Sequence, residues 1–192
     1  RDDKKESYIT LGHILHLVED MGVPDHTRDD THADAVEKFT GDPGSPYEKY
    51  ASRWNRESIR ELKLVDNLKN ADAPSNRLIE DYLKSLARYS NEYFFSKDTI
   101  NNTKYSLPNI IREDSDFGYG MDESGVEYPL VKVNDEWDSA SKKFHGTLEL
   151  LDRPEHAPIY DAYFSRLSRQ IILHGGGVAE LFMRDAEDRK IN

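Results

Sequence analysis

Four of the seven histidines, His13, His16, His26 and His32, fall within the first 32 residues, interleaved with Asp20, Asp25, Asp29, Asp30 and Asp34. Imidazole nitrogens and carboxylate oxygens are donors that zinc takes at about 2.0 to 2.2 Å. The chain has no cysteine, so disulfides and thiolate ligands are excluded and any metal must be held by nitrogen and oxygen. On a helix turning about 100° per residue, Asp20 lies about 40° and His13 about 60° from His16, so the three share one narrow face.

The element that must present them reads as a helix over residues 5–21, with Asp3 and Glu6 spaced for a capping box and Gly22 and Pro24 placed to stop it. Leu11, Ile14, Leu15, Leu17, Val18 and Met21 fill the arc opposite the histidines and predict the side that faces the core. A merely solvated second face would carry Lys and Arg. Residues 8–22 hold neither, and the histidine face includes Ile9 and Gly12, which predicts a lined pocket. Pro24 then bends the chain so that His26 approaches from a long loop over residues 23–46, with one helical turn near 33–39.

His16, Asp20, Pro24 and His26, in the stretch LHLVEDMGVPDH, match an HxxxDxxxPxH pattern. On these residues the chain resembles the zinc-dependent phospholipase C and fungal single-strand nuclease superfamily. The wider stretch LGHILHLVEDMGVPDHTRDDTH, with DPGSPYEKYA and NEYFFSKDTI after it, looks most like a bacterial, mostly uncharacterised branch. This likeness covers residues 11–50 and reaches residue 100 weakly. It implies an all-α fold holding three zinc ions. By the same resemblance His16 ligates one zinc of a close pair, Asp20 bridges that pair at the catalytic centre, and His26 belongs to the third ion. The family often has Tyr where Leu17 stands. It also places an acidic residue four positions after its second loop histidine, whereas Val36 follows His32 at that spacing. Glu37 and Glu48 are the nearest substitutes, and Glu48 is preferred because the DPGSPYE segment follows the branch pattern. The remaining ligands of the pair lie far upstream in the family. With only 15 residues before His16, and no initiator Met or apolar leader ahead of Arg1, a fragment is expected in which His13 is the further local donor.

The rest of the chain supplies the frame. Its length suits one domain over residues 1–192. Short helices are expected over 46–53 and 57–68. After Pro74, with Ser75 placed to cap, Ile79, Tyr82, Leu83, Leu86 and Tyr89 or Ser90 predict an amphipathic helix over 76–95. Between residues 96 and 152 the helical period vanishes, and β-prone runs at 126–133 and 144–151 predict a hairpin. A last helix over 157–189 carries Tyr160, Phe164, Leu167, Ile171, His174, Val178 and Leu181 on one stripe. The fold class expected is therefore mainly α: a helical bundle of the phospholipase C type with long loops and a β-hairpin insertion.

Gly175, Gly176 and Gly177 inside that helix require a close approach, by a neighbouring helix next to a satisfied core His174 or by a substrate wall. His145 and His156 have no ligand spacing and read as surface residues. Tyr47, Tyr50, Trp54, Tyr82, Tyr89, Tyr93, Phe94 and Phe95 read as core rather than as a lipid or base pocket. A net charge of −11 opposes unspecific attraction to nucleic acid or anionic lipid. No apolar run is long enough to span a bilayer.

What the resemblance implies is a zinc-dependent phosphodiester hydrolase acting on phospholipid through metal-activated water, extracellular or in the cell envelope. A nuclease is less favoured for want of a basic strip with interleaved aromatics. A non-catalytic, metal-stabilised binding module is the alternative of a different class. Oligomeric state stays open.

Overall fold

The computed structural model describes residues 2–30, 44–54, 73–75, 77–100, 102, 104–138 and 143–191. The fold is mainly helical with one small sheet. In chain order the elements are α1 (Asp2–Met21), α2 (Pro24–Thr27), α3 (Pro46–Ala51), α4 (Ile79–Tyr93), a 3-10 turn (Lys97–Thr99), β1 (Arg112–Glu113), β2 (Phe117–Met121), β3 (Glu127–Asp138), β4 (Lys143–Glu149), a second 3-10 turn (Pro154–His156) and α5 (Ala157–Ile191). Among the described residues no helix is long and apolar enough to cross a membrane.

Helices α1, α4 and α5 pack on one another around Val18, Tyr82, Leu86 and Val178, with Leu11, Ile14, Leu15, Met21, Leu83, Ile171 and Leu181 at the margin. The predicted apolar stripes of α1, α4 and α5 supply this cluster, with one correction. Leu17 is 46% exposed, because it sits at the edge of its arc, turned away from both neighbouring helices. Of the three glycines of α5, Gly177 meets the expected close approach, Gly175 makes ordinary contact and Gly176 faces open space. Leu15 lies 3.6 Å from where a Gly175 side chain would begin, and Tyr82 occupies that position at Gly177. His174 is a satisfied core histidine: its Nδ1 pairs with the Gln170 carbonyl at 2.8 Å and its Nε2 with Ser85 Oγ at 3.0 Å.

The four strands form an antiparallel meander in the order β1-β2-β3-β4. The expected hairpin is β3–β4, with Lys132 opposite Glu149 and Trp137 opposite Phe144. Its extension by β1 and β2 corrects the reading of a lone hairpin. Strand β2 carries Gly118 and Gly120, which weaken its strand signal, yet Val131 and Tyr128 pack directly over these two glycines. Pro129 is tolerated in β3 because it lies before the stretch, beginning at Lys132, that pairs with β4.

The sheet packs on α5 through a second cluster that includes Phe94, Phe95, Tyr128, Leu130, Val131, Ile159, Tyr160 and Tyr163. Tyr163 ties its parts together, donating to the Leu130 carbonyl at 2.8 Å and accepting the Phe95 amide at 3.1 Å. The aromatics read as core divide accordingly: Tyr47, Tyr82, Phe94 and Phe95 are buried, Tyr50, Trp54 and Tyr89 are half-buried, and Tyr93 is 40% exposed.

Several boundaries move. Helix α1 already includes Asp3, so that residue is not its cap. Helix α4 starts at Ile79, with Leu78 rather than Ser75 at its N-cap, and ends where Phe94 turns extended to enter the core. The helical turn expected near 33–39 and the helix expected over 57–68 lie outside the described residues.

Candidate metal centre

Gly22, just after the end of α1, sits against the Ile171 side chain of α5, too close for any β-carbon. Val23 is extended (φ −103°, ψ 118°), and Pro24 then opens α2 at its first position, where a missing N–H costs nothing. Pro24 thus starts an element as well as ending one, and this one-turn helix carries Asp25 and His26. Helix α3 arrives from the other side. Ser45 caps it by accepting the Glu48 amide at 3.0 Å, and Pro46 fixes its first turn. These two short elements place His26 Nε2 3.3 Å from Glu48 Oε1. The glutamate holds the imidazole's pKa above its ordinary value, against the opposing effect of burial.

Two ligands of one tetrahedral zinc, each at about 2.0 to 2.1 Å, lie about 3.3 to 3.4 Å from each other. The His26–Glu48 spacing fits that figure. It is longer than the roughly 2.7 to 2.9 Å usual for a charge-assisted hydrogen bond.

On α1, His16 Nε2 lies 3.8 Å from Asp20 Oδ2, and His16 Nδ1 lies 3.8 Å from Glu19. One turn of helix has brought the first motif pair together. The expected pocket around this face is not there among the described residues. The His16 side chain is 72% exposed and His13 is exposed with it, because α4 and α5 both cover the opposite side of α1. His32 and Glu37 lie outside the described residues. Within the described residues no three His, Cys, Asp or Glu side chains form one group able to hold a metal ion.

Sequence reasoning did not single out Asp25 and Asp30 from the acidic run. Both are buried, Asp25 to 2% exposure. Burial first, then the charges of Asp30 and Glu48, push the Asp25 pKa up to about 7, against a hydrogen bond from Ser45. Asp30 accepts the Asp98 amide at 2.9 Å. Asp25 thus stands between the charges of Asp30 and Glu48, beside His26. The available signal was position: a residue following a helix-starting Pro lies in the first turn of the element that also carries His26.

His156, expected at the surface, is fully buried. Its Nδ1 accepts the Leu151 amide at 3.3 Å and its Nε2 lies 3.3 Å from Glu149, so it fastens the end of the sheet to the start of α5. Burial lowers its pKa. The side chain of His145 lies outside the described residues.

No protein-family model, curated protein or solved structure matches the chain.

Proposed function

We propose that the chain forms part of a zinc-dependent phosphodiester hydrolase of the phospholipase C type. The observation that carries this reading is the 3.3 Å approach of His26 to Glu48, two residues from separate elements at the spacing of two zinc ligands. The motif supports it, since His16 and Asp20 adjoin on the helix immediately before. In this reading His26 and Glu48, with His32, hold one ion, while His16 and Asp20, with His13, contribute to a pair that Asp20 bridges. Zinc, when bound, supplies a Lewis acid and a water of lowered pKa, the nucleophile that a phosphodiester requires. The protein's own part is to hold neutral imidazoles and ionised carboxylates at fixed separations and to balance the cations' charge through the buried Asp25 and Asp30. The bundle of the phospholipase C type, the phospholipid or related phosphodiester substrate and an extracellular or envelope location belong to the same proposal. Nucleic acid is the weaker substrate candidate, given the net charge of −11.

A second reading is favoured by the approach of His26 to Glu48 across two short elements: a non-catalytic module in which zinc fastens α2 to α3. Catalytic zinc takes about three protein ligands per ion, and His13, His16 and Asp20 are too few for two ions. The 192-residue chain should therefore hydrolyse bis-nitrophenyl phosphate or phosphatidylcholine weakly at most, and in a chelator-sensitive way. Turnover with and without added zinc, and after chelation, tests this. Zinc binding with no hydrolysis would leave the binding module.

A further inference from the structure

Two residues after His26 stands Arg28, whose side chain is completely buried. Its guanidinium donates from Nε to Thr99 Oγ1 at 2.7 Å, from Nη1 to the Asn91 carbonyl at 2.5 Å, and from Nη1 and Nη2 to the Ser106 carbonyl at 3.2 Å. The Tyr105 ring lies 5.2 Å away. Taking a cation out of water is expensive, and these acceptors are all formally neutral. One of them belongs to the last turn of α4, where unsatisfied carbonyls carry the negative end of the helix dipole.

We propose that Arg28 is a positioning residue for the metal centre, holding His26 at ligand spacing from Glu48; the inference rests on the zinc function proposed above. The reason lies in the size of α2. Four residues form too short a helix to hold themselves in place, so the position of His26 must be imposed from outside. Directional polar bonds to α4 and the segment after it do this. Ser90 Oγ donates to the Met21 carbonyl at 2.6 Å and Asn91 Nδ2 to the Thr27 carbonyl at 2.8 Å, while Asp30 takes the Asp98 amide. Arg28 is the C-cap residue of α2 and binds two separate segments at once, the end of α4 and the 99–106 stretch. A planar fork of donors is suited to that bridging in a way a lysine ammonium is not. A metal site loosened by about 1 Å loses its ligand geometry, so a rigid clasp two residues from one ligand sets the affinity of the site.

Cobalt(II) alone is the probe, since its visible absorption reports coordination geometry. It is titrated into the whole chain and into His26→Ala, Arg28→Lys and Thr99→Val, at a temperature where circular dichroism shows each fully folded. The wild-type chain should bind cobalt in a way that His26→Ala abolishes. Arg28→Lys should bind about 10-fold more weakly with an altered visible band, in the range found when groups that orient metal ligands are removed. Thr99→Val, which deletes the Nε acceptor at nearly constant volume, should shift affinity the same way by less, and it carries the test if Arg28→Lys does not fold. Variants that melt earlier but keep wild-type cobalt affinity and spectrum would overturn the inference and leave the zinc reading standing. A wild-type chain with no His26-dependent cobalt binding would remove both.

Discussion

Tyr82 of α4 packs directly on the backbone of Gly177 in α5: a β-carbon at that glycine would overlap the ring and come within 2.8 Å of the Pro74 carbonyl oxygen. The neighbouring Gly176 has nothing within 4 Å of the same point. Two adjacent glycines in one helix therefore have opposite expectations.

Gly177→Ala should destabilise the fold by about 1 to 3 kcal/mol, the usual cost of overpacking against a fixed ring and backbone. Gly176→Ala should stabilise it by up to about 1 kcal/mol, because alanine restricts the unfolded chain and fits the helix interior. Urea unfolding of both variants beside the parent measures this. Destabilisation by both would mean that the outer face of α5 is covered in solution.

His26→Ala should remove the tightest zinc from protein purified without chelator, and Glu48→Gln should weaken its retention, since the amide keeps the shape and loses the charge. Elemental analysis after gel filtration gives the stoichiometry. Equal zinc in all three proteins would show that the 3.3 Å pair is a hydrogen bond and nothing more.

The contribution of Asp25 to the stability of the metal-free protein should fall as pH rises from about 4 to 7. The Asp25 pKa is raised in the folded state to about 7, so the native state binds the proton more tightly than the unfolded chain does. The stabilisation is complete below the ordinary carboxylate value and is gone once pH passes the folded value, a contribution of a few kcal/mol. His156 and His174, whose pKa values burial lowers, act oppositely and lose stability toward acid. Asp25→Asn isolates the first effect. The variant should show a flatter pH profile between 4 and 7 and greater metal-free stability at pH 7, by thermal melts across pH. An unchanged slope would mean that Asp25 ionises freely.

Zinc should leave as pH falls through the raised pKa of His26. The glutamate that favours the imidazolium makes the proton a stronger competitor for Nε2, and a protonated imidazole cannot be a ligand. Equilibrium dialysis between pH 8 and 5 tests this. Removal of the glutamate charge in Glu48→Gln should shift the release to lower pH, on whatever zinc the variant still holds.

Periodicity made the frame legible. The stripes of α4 and α5 run long enough to fix both helices, and the β-prone run over residues 126–133 announced β3. The pairing of His16 with Asp20 follows from one helical turn, and Glu48 was reachable through the DPGSPYE segment. Other features depend on packing partners distant in sequence. Only its place after Pro24 sets the buried Asp25 apart from the exposed Asp29, and nothing local marks His156 as the fastening between sheet and helix. Strand β2 was hidden because its two glycines make sense only once Tyr128 and Val131 lie across them. The openness of the histidine face was misread for a similar reason, since the absence of Lys and Arg says what a face lacks and not what covers it.

The antiparallel neighbours α1 and α5 bring the start of the chain against its end, with Leu15 over Gly175 and Tyr8 beside Phe182 at 5.7 Å between rings. The donors His16 and Asp20 ride on that helix, and His26 follows it within a few residues, so the seating of α1 on α4 and α5 decides where the whole donor-bearing segment lies.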